Sequence, residues 1–362
     1  MNTKVIAYYL PQFYPFPEND EWWGKGFTEW TNVAKARPLF RGHYQPKVPA
    51  DLGFYDLRLA ETIKKQVELA KEAGVSAFCL WHYWFGENKV LLGNPLKIIL
   101  ENKDIDFSIC LGWANESWEA KVWNAPDSSK NKILMKQEYG GKEEIFAHFQ
   151  YVSKALKDER YLRIDGRPIF VIYQPFQLPD AKSFMNEFNR LLKESGIAES
   201  FYFIGYTKTD IEIDNILALG FDAVNVVRVS AYRYDMNCTK RIWWPLLKFK
   251  LLGRPLVLNY KFMLKYFACP ENDSKSNVFP TLIPNWDHTP RSGVHGVVFH
   301  NATPELFKRH IEMILQATKE KKNNLIFLKS WNEWGEGNYM EPDLKYGKGY
   351  IKALSEALQE ND

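Results

Sequence analysis

Eight short apolar runs, separated by longer polar and amphipathic stretches, constrain this chain more than any other feature. The runs are Val5–Leu10, Val75–Trp81, Phe107–Trp113, Pro168–Tyr173, Phe201–Tyr206, Ala223–Val227, Val278–Ile283 and Leu325–Ser330. Each has strand length and is apolar at successive positions, the pattern of a strand covered on both faces. Between them lie segments with apolar residues every three to four positions. These are Leu57–Ala73, with Leu59, Ile63, Val67 and Ala70 on one face, then Glu143–Lys157, Ala181–Glu194, Pro304–Lys319 and Lys348–Gln359. Parallel strands need long crossovers, usually helical. The alternation therefore predicts an α/β fold, a (β/α)8 TIM barrel that uses residues 1–362 as one domain. A doubly wound open sheet is the structural alternative, but no GxGxxG or P-loop sequence favours it.

Two segments exceed what a barrel needs. Pro11 to Asp56 forms a long first βα loop, rich in proline and aromatics, and long ordered loops are usually functional; it is expected to wall one side of a cleft. A second insertion lies near residues 230–277 and carries the basic, apolar stretch Arg241–Leu252. That stretch reads first as core or lid packing. The second reading is weak association with a membrane surface or a lipid-linked glycan.

Composition narrows the partners. A net charge of +3 with no long basic stripe argues against nucleic acid. No apolar run approaches the ~18 residues of a membrane span. The apolar run at Val5–Leu10 begins too early and ends too soon for a signal peptide, so a cytoplasmic location is expected, with peripheral inner-membrane association left open. Cys79 and Cys110 lie inside apolar runs, and no CxxC pair occurs among the four cysteines. The seven histidines form no HxH or HExxH group, so neither a metal nor another cofactor is expected. Aromatic residues reach 15% of the chain, and Trp22, Trp23, Trp30, Trp81, Trp84, Trp113, Trp118, Trp286, Trp331 and Trp334 crowd near turn signals. An apolar face with a polar handle suits stacking on sugars, although large aromatics also fill large cores.

Barrel chemistry sits at the C-terminal ends of the strands. Tyr8, Gln12, Glu29 and Trp30 belong with the first strand, and His82, Tyr83 and Trp84 follow the second. Trp113, Asn115 and Glu116 follow the third, Tyr173 the fourth and Tyr206 the fifth. Trp286, Asp287 and Arg291 follow the seventh, and Trp331, Asn332, Glu333, Trp334 and Glu336 the eighth. Glu333 and Glu336 are the candidate catalytic pair, and the others, Glu116 included, are candidate substrate-binding residues, except Glu29, which is given no role. A helical turn would place the two Cβ atoms roughly 5–6 Å apart. Paired carboxylates push their pKa values apart and suit acid–base work on a glycosidic bond. A solvated pair at a helix start remains the alternative. Glu116 reads as a site acid or as a buried partner of Arg291 or a lysine. Asp287 and Arg291 read as hydroxyl ligands or as a pair of their own.

Longer motifs carry a family resemblance. Leu10-Pro11-Gln12-Phe13-Tyr14-Pro15, Trp23-Gly24-Lys25-Gly26-Phe27-Thr28-Glu29-Trp30-Thr31-Asn32-Val33, His43-Tyr44-Gln45-Pro46, His82-Tyr83-Trp84-Phe85, Trp113-Ala114-Asn115-Glu116, Trp286-Asp287 with Arg291, and Trp331 to Gly337 with Glu341-Pro342 resemble the WbsX-type proteins of bacterial polysaccharide biosynthesis. That family is in turn similar to glycoside hydrolase family 99, endo-α-mannosidases and endo-α-mannanases, through Asp165-Gly166-Arg167-Pro168 leading into Tyr173 and through Trp331-Asn332-Glu333-Trp334 with Glu336. The resemblance implies a retaining, endo-acting, metal-independent glycosidase on a mannose-like or other bacterial polysaccharide. In it Glu333 would deprotonate the sugar 2-hydroxyl, a 1,2-anhydro sugar would form, and Glu336 would be the general acid/base. A glycosyltransferase of surface-polysaccharide assembly and a non-catalytic glycan-binding barrel are the competing expectations.

Overall fold

The computed structural model describes residues 3–120, 132–235, 253–322 and 324–361, together with 245, 247 and 249. Eight parallel strands form its centre: β1 Lys4–Tyr9, β2 Val75–Trp84, β3 Ser108–Trp113, β4 Arg167–Ile172, β5 Tyr202–Thr207, β6 Ala223–Val226, β7 Val278–Leu282 and β8 Leu325–Leu328. Each pairs with its neighbour in chain order, and β1 pairs in parallel with both β2 and β8. The sheet therefore closes on itself, and the open-sheet alternative falls. All eight apolar runs became these strands, because a parallel strand covered on both faces has no polar side to show.

Eight helices follow the strands in turn: α1 Ala60–Glu72, α2 Asn94–Glu101, α3 Lys142–Leu156, α4 Ala181–Glu194, α5 Ile213–Ala218, α6 Tyr260–Phe267, α7 Pro304–Thr318 and α8 Gly349–Gln359. One face of α1 differs from its periodicity. Leu59 is its N-cap and is 54% exposed. Gln66 is instead fully buried, since its amide bridges the Tyr9 hydroxyl and the Glu341 carboxylate. Polar satisfaction here outweighed simple apolar patterning.

The barrel interior is aromatic. Tyr8 of β1 stacks on Trp81 of β2 at 4.6 Å and packs against Phe327 of β8 and Tyr206 of β5. Its hydroxyl donates to Asn225 Oδ1 at 2.8 Å, and Asn225 Nδ2 donates to Phe279 O and Thr281 Oγ1. Aromatic area and a satisfied polar chain together fix the strands' relative positions. Cys79 and Cys110 face each other across β2 and β3 as free, buried thiols.

The long first loop holds two short helices, Pro17–Trp23 and Glu29–Lys35. The second insertion supplies α6 and a strand, Leu256–Asn259, which pairs with Val297–His300 outside the barrel. The basic, apolar stretch 241–252 lies outside the described residues apart from positions 245, 247 and 249. Asp165 and Gly166 adopt positive φ in a hairpin turn that leads into the N-terminal end of β4. Arg167 there binds Phe201 O and Asp222, so this shared motif serves the closed end of the barrel. Among the described residues no helix is long and apolar enough to cross a membrane.

Tyr8→Phe leaves the buried Asn225 Oδ1 without its donor. The expected cost is about 1–3 kcal/mol, read from urea unfolding, with little change in the barrel's circular dichroism.

Candidate active site

β8 ends at Leu328, and the chain then turns back over the barrel mouth. Asn332 fixes that turn: its side-chain amide donates to Leu10 O and accepts from Leu10 N, at 2.9 and 2.8 Å. In this way a side chain continues the β1–β8 pairing past the strand's end. Trp334 lies flat on Tyr339, ring centroids 3.7 Å apart, and donates to Glu341 Oε2. The intervening turn, Trp334–Glu336, carries Glu333 and Glu336 toward the mouth.

The two glutamates share their cations. Arg291 Nη1 lies 3.1 Å from Glu333 Oε1 and 2.8 Å from Glu336 Oε1. Both oxygens rest on one nitrogen, so they are no farther apart than about 6 Å, short of the ~6.5–9.5 Å typical of inverting pairs. Lys329 Nζ completes the group, 3.3 Å from Glu333 and 3.6 Å from Glu336. The other edge of Arg291 is clamped by Glu29, with Nε and Nη2 each 3.0 Å from a carboxylate oxygen. Burial alone would raise the Glu336 carboxyl, but Lys329 and Arg291 outweigh it and hold that carboxyl well below the usual range. His288 Nε2 stands 3.6 Å from Glu336 Oε1.

Gly335 explains how the clamp comes so close. A Cβ there would collide with the Glu29 carboxylate and stand 3.0 Å from Arg291 Nε. The glycine lets the backbone pass directly under a bidentate ion pair.

Three tyrosines face this charge cluster. Burial, followed by neighbouring charges that include Glu333 and Glu116, pushes the phenols of Tyr83, Tyr173 and Tyr206 up, so they remain hydroxyl donors. Glu116 takes a hydrogen bond from Gln174 and sits among these phenols. Trp286 packs on His288, with Lys329 Nζ 5.7 Å from its ring centre. Tyr83, Glu116, Tyr173, Tyr206, Trp286, Arg291, Glu333 and Glu336 are thus gathered at one place.

The remaining sequence-predicted residues lie behind or beside it. Tyr8 is sealed in the barrel interior. Gln12 is half-buried, and its carbonyl accepts from Glu29 N. Trp30, Trp331, Asn332 and Trp334 are buried behind the glutamate turn. His82 and Trp84 point into the strand–helix layer, because alternation along β2 turns Tyr83 toward the mouth and its neighbours away. Trp113 at the end of β3 packs in the same layer against His148 and Phe184. His82 there faces His148, Nε2 to Nε2 at 2.9 Å, and burial pushes it down to about 3. Asn115 ties its loop to Gln174 and Tyr139. Asp287 turns away from the mouth and from Arg291. It accepts from His43, Gln45 and Thr289 and pins the first loop to the seventh.

Sequence reasoning left Lys329, Glu29, His288 and Glu341 out of the site. A lysine closing a buried strand was a legible signal, since buried lysines need partners. Glu29 stood inside a quoted motif. Glu341 likewise stood in the quoted Glu341-Pro342 motif, and its buried carboxylate accepts from Tyr55, Gln66 and Trp334. Burial outweighs those donors and pushes Glu341 up to about 7.

Known proteins agree with the fold. A family model described as "Glycosyltransferase WbsX" matches residues 5–354. The WxcX protein of Xanthomonas campestris pv. campestris (strain B100) is 33% identical over 369 residues, covering 98% of this chain and 50% of its own. The chain spans about half the length of the curated relatives it matches. Among solved structures, a GH99 endo-alpha-mannosidase from Bacteroides thetaiotaomicron superposes with a TM-score of 0.58 at 17% identity, covering 99% of this chain and 97% of that one. A glycoside hydrolase-like protein gives 0.58 at 13%, covering 98% and 93%. At such identities the likeness is one of fold, the same closed barrel.

Two measurements test the site's construction. Gly335→Ala should cost about 1–3 kcal/mol by crowding Glu29. Combined with Glu29→Ala the two costs should fall short of additive by at least ~1 kcal/mol in a double-mutant unfolding cycle. Glu341 is raised in the folded state, so its contribution is present below about pH 4.5 and is lost as pH rises through about 7. Stability should fall across that window by on the order of 3 kcal/mol. Glu341→Gln should flatten the profile, as read from urea midpoints at stepped pH.

Proposed function

The chain belongs to the WbsX glycosyltransferase family, a carbohydrate-active family, and from that membership and the site's geometry we propose that it is a retaining glycoside hydrolase. It acts within chains of a bacterial polysaccharide with mannose-like sugars. The observation that carries this reading is the pairing of Glu333 and Glu336 at the barrel mouth, both held on Arg291 Nη1 and beside Lys329, so that one can serve as base while the other serves as acid. The barrel shared with GH99 endo-alpha-mannosidases supports it.

The chemistry runs on carboxylates. Glu333, steadied by Lys329 and Arg291, takes the proton of the sugar 2-hydroxyl. O2 attacks C1 as the bond from C1 to the leaving oxygen breaks, and Glu336 gives that oxygen a proton. Water then adds at C1 from the same face, yielding its proton to Glu336. The C1–O2 bond breaks, and O2 recovers its proton from Glu333. Tyr83, Tyr173 and Tyr206 supply hydroxyl donors around the ring, and Arg291 and Lys329 offset the charge that moves between the two glutamates.

The family's description as glycosyltransferase favours a second reading, in which a sugar hydroxyl replaces water in the second step. The two share every group up to the intermediate and differ in what enters the mouth afterwards.

On a panel of bacterial surface polysaccharides, the wild type should release oligosaccharides whose new reducing ends keep the anomeric configuration, as read by NMR at early times. Glu333→Gln and Glu336→Gln should each lower kcat by on the order of 10²–10⁴. Undiminished cleavage in both variants would refute the assignment. Product extension that outruns hydrolysis when an acceptor glycan is added would move it to transfer.

A further inference from the structure

Glu336 must hold a proton for the departing oxygen, yet the free site surrounds it with charges that favour the carboxylate. Arg291 Nη1 and Lys329 Nζ lie 2.8 and 3.6 Å from its two oxygens. Neither gives up a proton near neutral pH. The phenols of Tyr83, Tyr173 and Tyr206 are held protonated. His288 also stands against this carboxylate, and an imidazole can give a proton from a ring nitrogen and take one back on it.

We propose that His288 is a proton relay that loads Glu336, an inference that rests on the retaining-glycosidase reading above. His288 is placed by structure on both sides. Its backbone N–H donates to Val297 O at 3.1 Å, and its carbonyl accepts from Ser292 N at 3.0 Å in the helix Thr289–Ser292. Ser292 Oγ lies 2.7 Å from Nδ1, which leaves Nε2 to face Glu336 Oε1 at 3.6 Å. Nδ1–H donates to Ser292 Oγ both when the ring is protonated and after Nε2 has given its proton up, so Nε2 can lose a proton and take one back. The groups that face the ring are thus Glu336 from the turn after β8, Ser292 from its own helix, and the indole of Trp286, at 6.2 Å and 16° to it. Lys329 lies against the same indole, and Arg291 shares the same glutamate oxygen. The side chain is 23% exposed, so solvent reaches it.

The protons balance over a cycle. The His288 imidazolium passes its Nε2 proton to Glu336, which becomes the neutral acid while the imidazole becomes neutral. Glu336 donates to the leaving oxygen as the C1–O bond breaks. The attacking water later returns one proton to Glu336, which hands it back to Nε2.

Leaving-group dependence tests the relay. His288→Gln should lower kcat/KM by on the order of 10²–10⁴ on a glycan, whose leaving alcohol needs a proton. On the matching dinitrophenyl glycoside, which departs without one, the loss should be less than tenfold. Added imidazole should restore part of the activity of His288→Ala. Equal losses on both substrates, with no rescue, would overturn the proposal. A second measurement needs no turnover: the His288 ring is titrated by NMR in the wild type and in Glu336→Gln. The relay requires the ring to titrate at lower pH in the variant, and an unchanged titration would also overturn it. A chain that cleaves no glycan but shows this coupled titration would sink the hydrolase reading alone.

Discussion

One guanidinium holds this site together. Arg291 gives two of its nitrogens to Glu29 and a third to both Glu333 and Glu336. Three carboxylates crowded this closely would repel one another strongly without it. Lys329 supplies the second positive charge from below. Each participant comes from a different part of the chain: the first loop, the loop after β7, the end of β8 and the turn beyond it. The ion cluster is therefore both the floor of the mouth and the joint between the long first loop and the barrel. Gly335 and Gly337 are the backbone's concession to it, one under Glu29 and the other beside Lys47 and Asp287.

Around that joint the protein divides its polar residues by task. Asp287 with His43 and Gln45, Asn332 with Leu10, Asn115 with Gln174, and Glu341 with Tyr55, Gln66 and Trp334 all have their hydrogen-bonding capacity turned inward. Buried groups satisfied in this way fix loops at low flexibility. The groups left facing the mouth are those whose charge is balanced but whose oxygens are not tied inward, namely the glutamates and the three tyrosines.

The barrel was legible because parallel strands buried on both faces leave an unbroken apolar signature. The five longer helices were legible through their periodicity. α2, α5 and α6 were not, since helices of six to eight residues are too short to show a period. At the site, the strand-end rule found the glutamates and Arg291. It also swept in His82, Trp84 and Trp113, because a list of strand-end residues does not say which of two alternating faces each occupies. Glu29 stood at a strand end without a role, and Glu341 lay outside the rule. Arg291, Tyr55 and Gln66 lie more than 250 positions from the glutamates they bind, and no local pattern records such a pairing.

The seam between β1 and β8 joins the first strand of the barrel to its last, and Asn332 locks it from the turn that carries Glu333 and Glu336. During synthesis from the N-terminus, Glu29 is made long before any of its partners. The barrel cannot close until the final strand leaves the ribosome, and the glutamates cannot take their places until it does. Before β8 has joined the sheet, the β1 edge is unpaired on that side and the turn that carries Glu333 and Glu336 has no seam to lock onto.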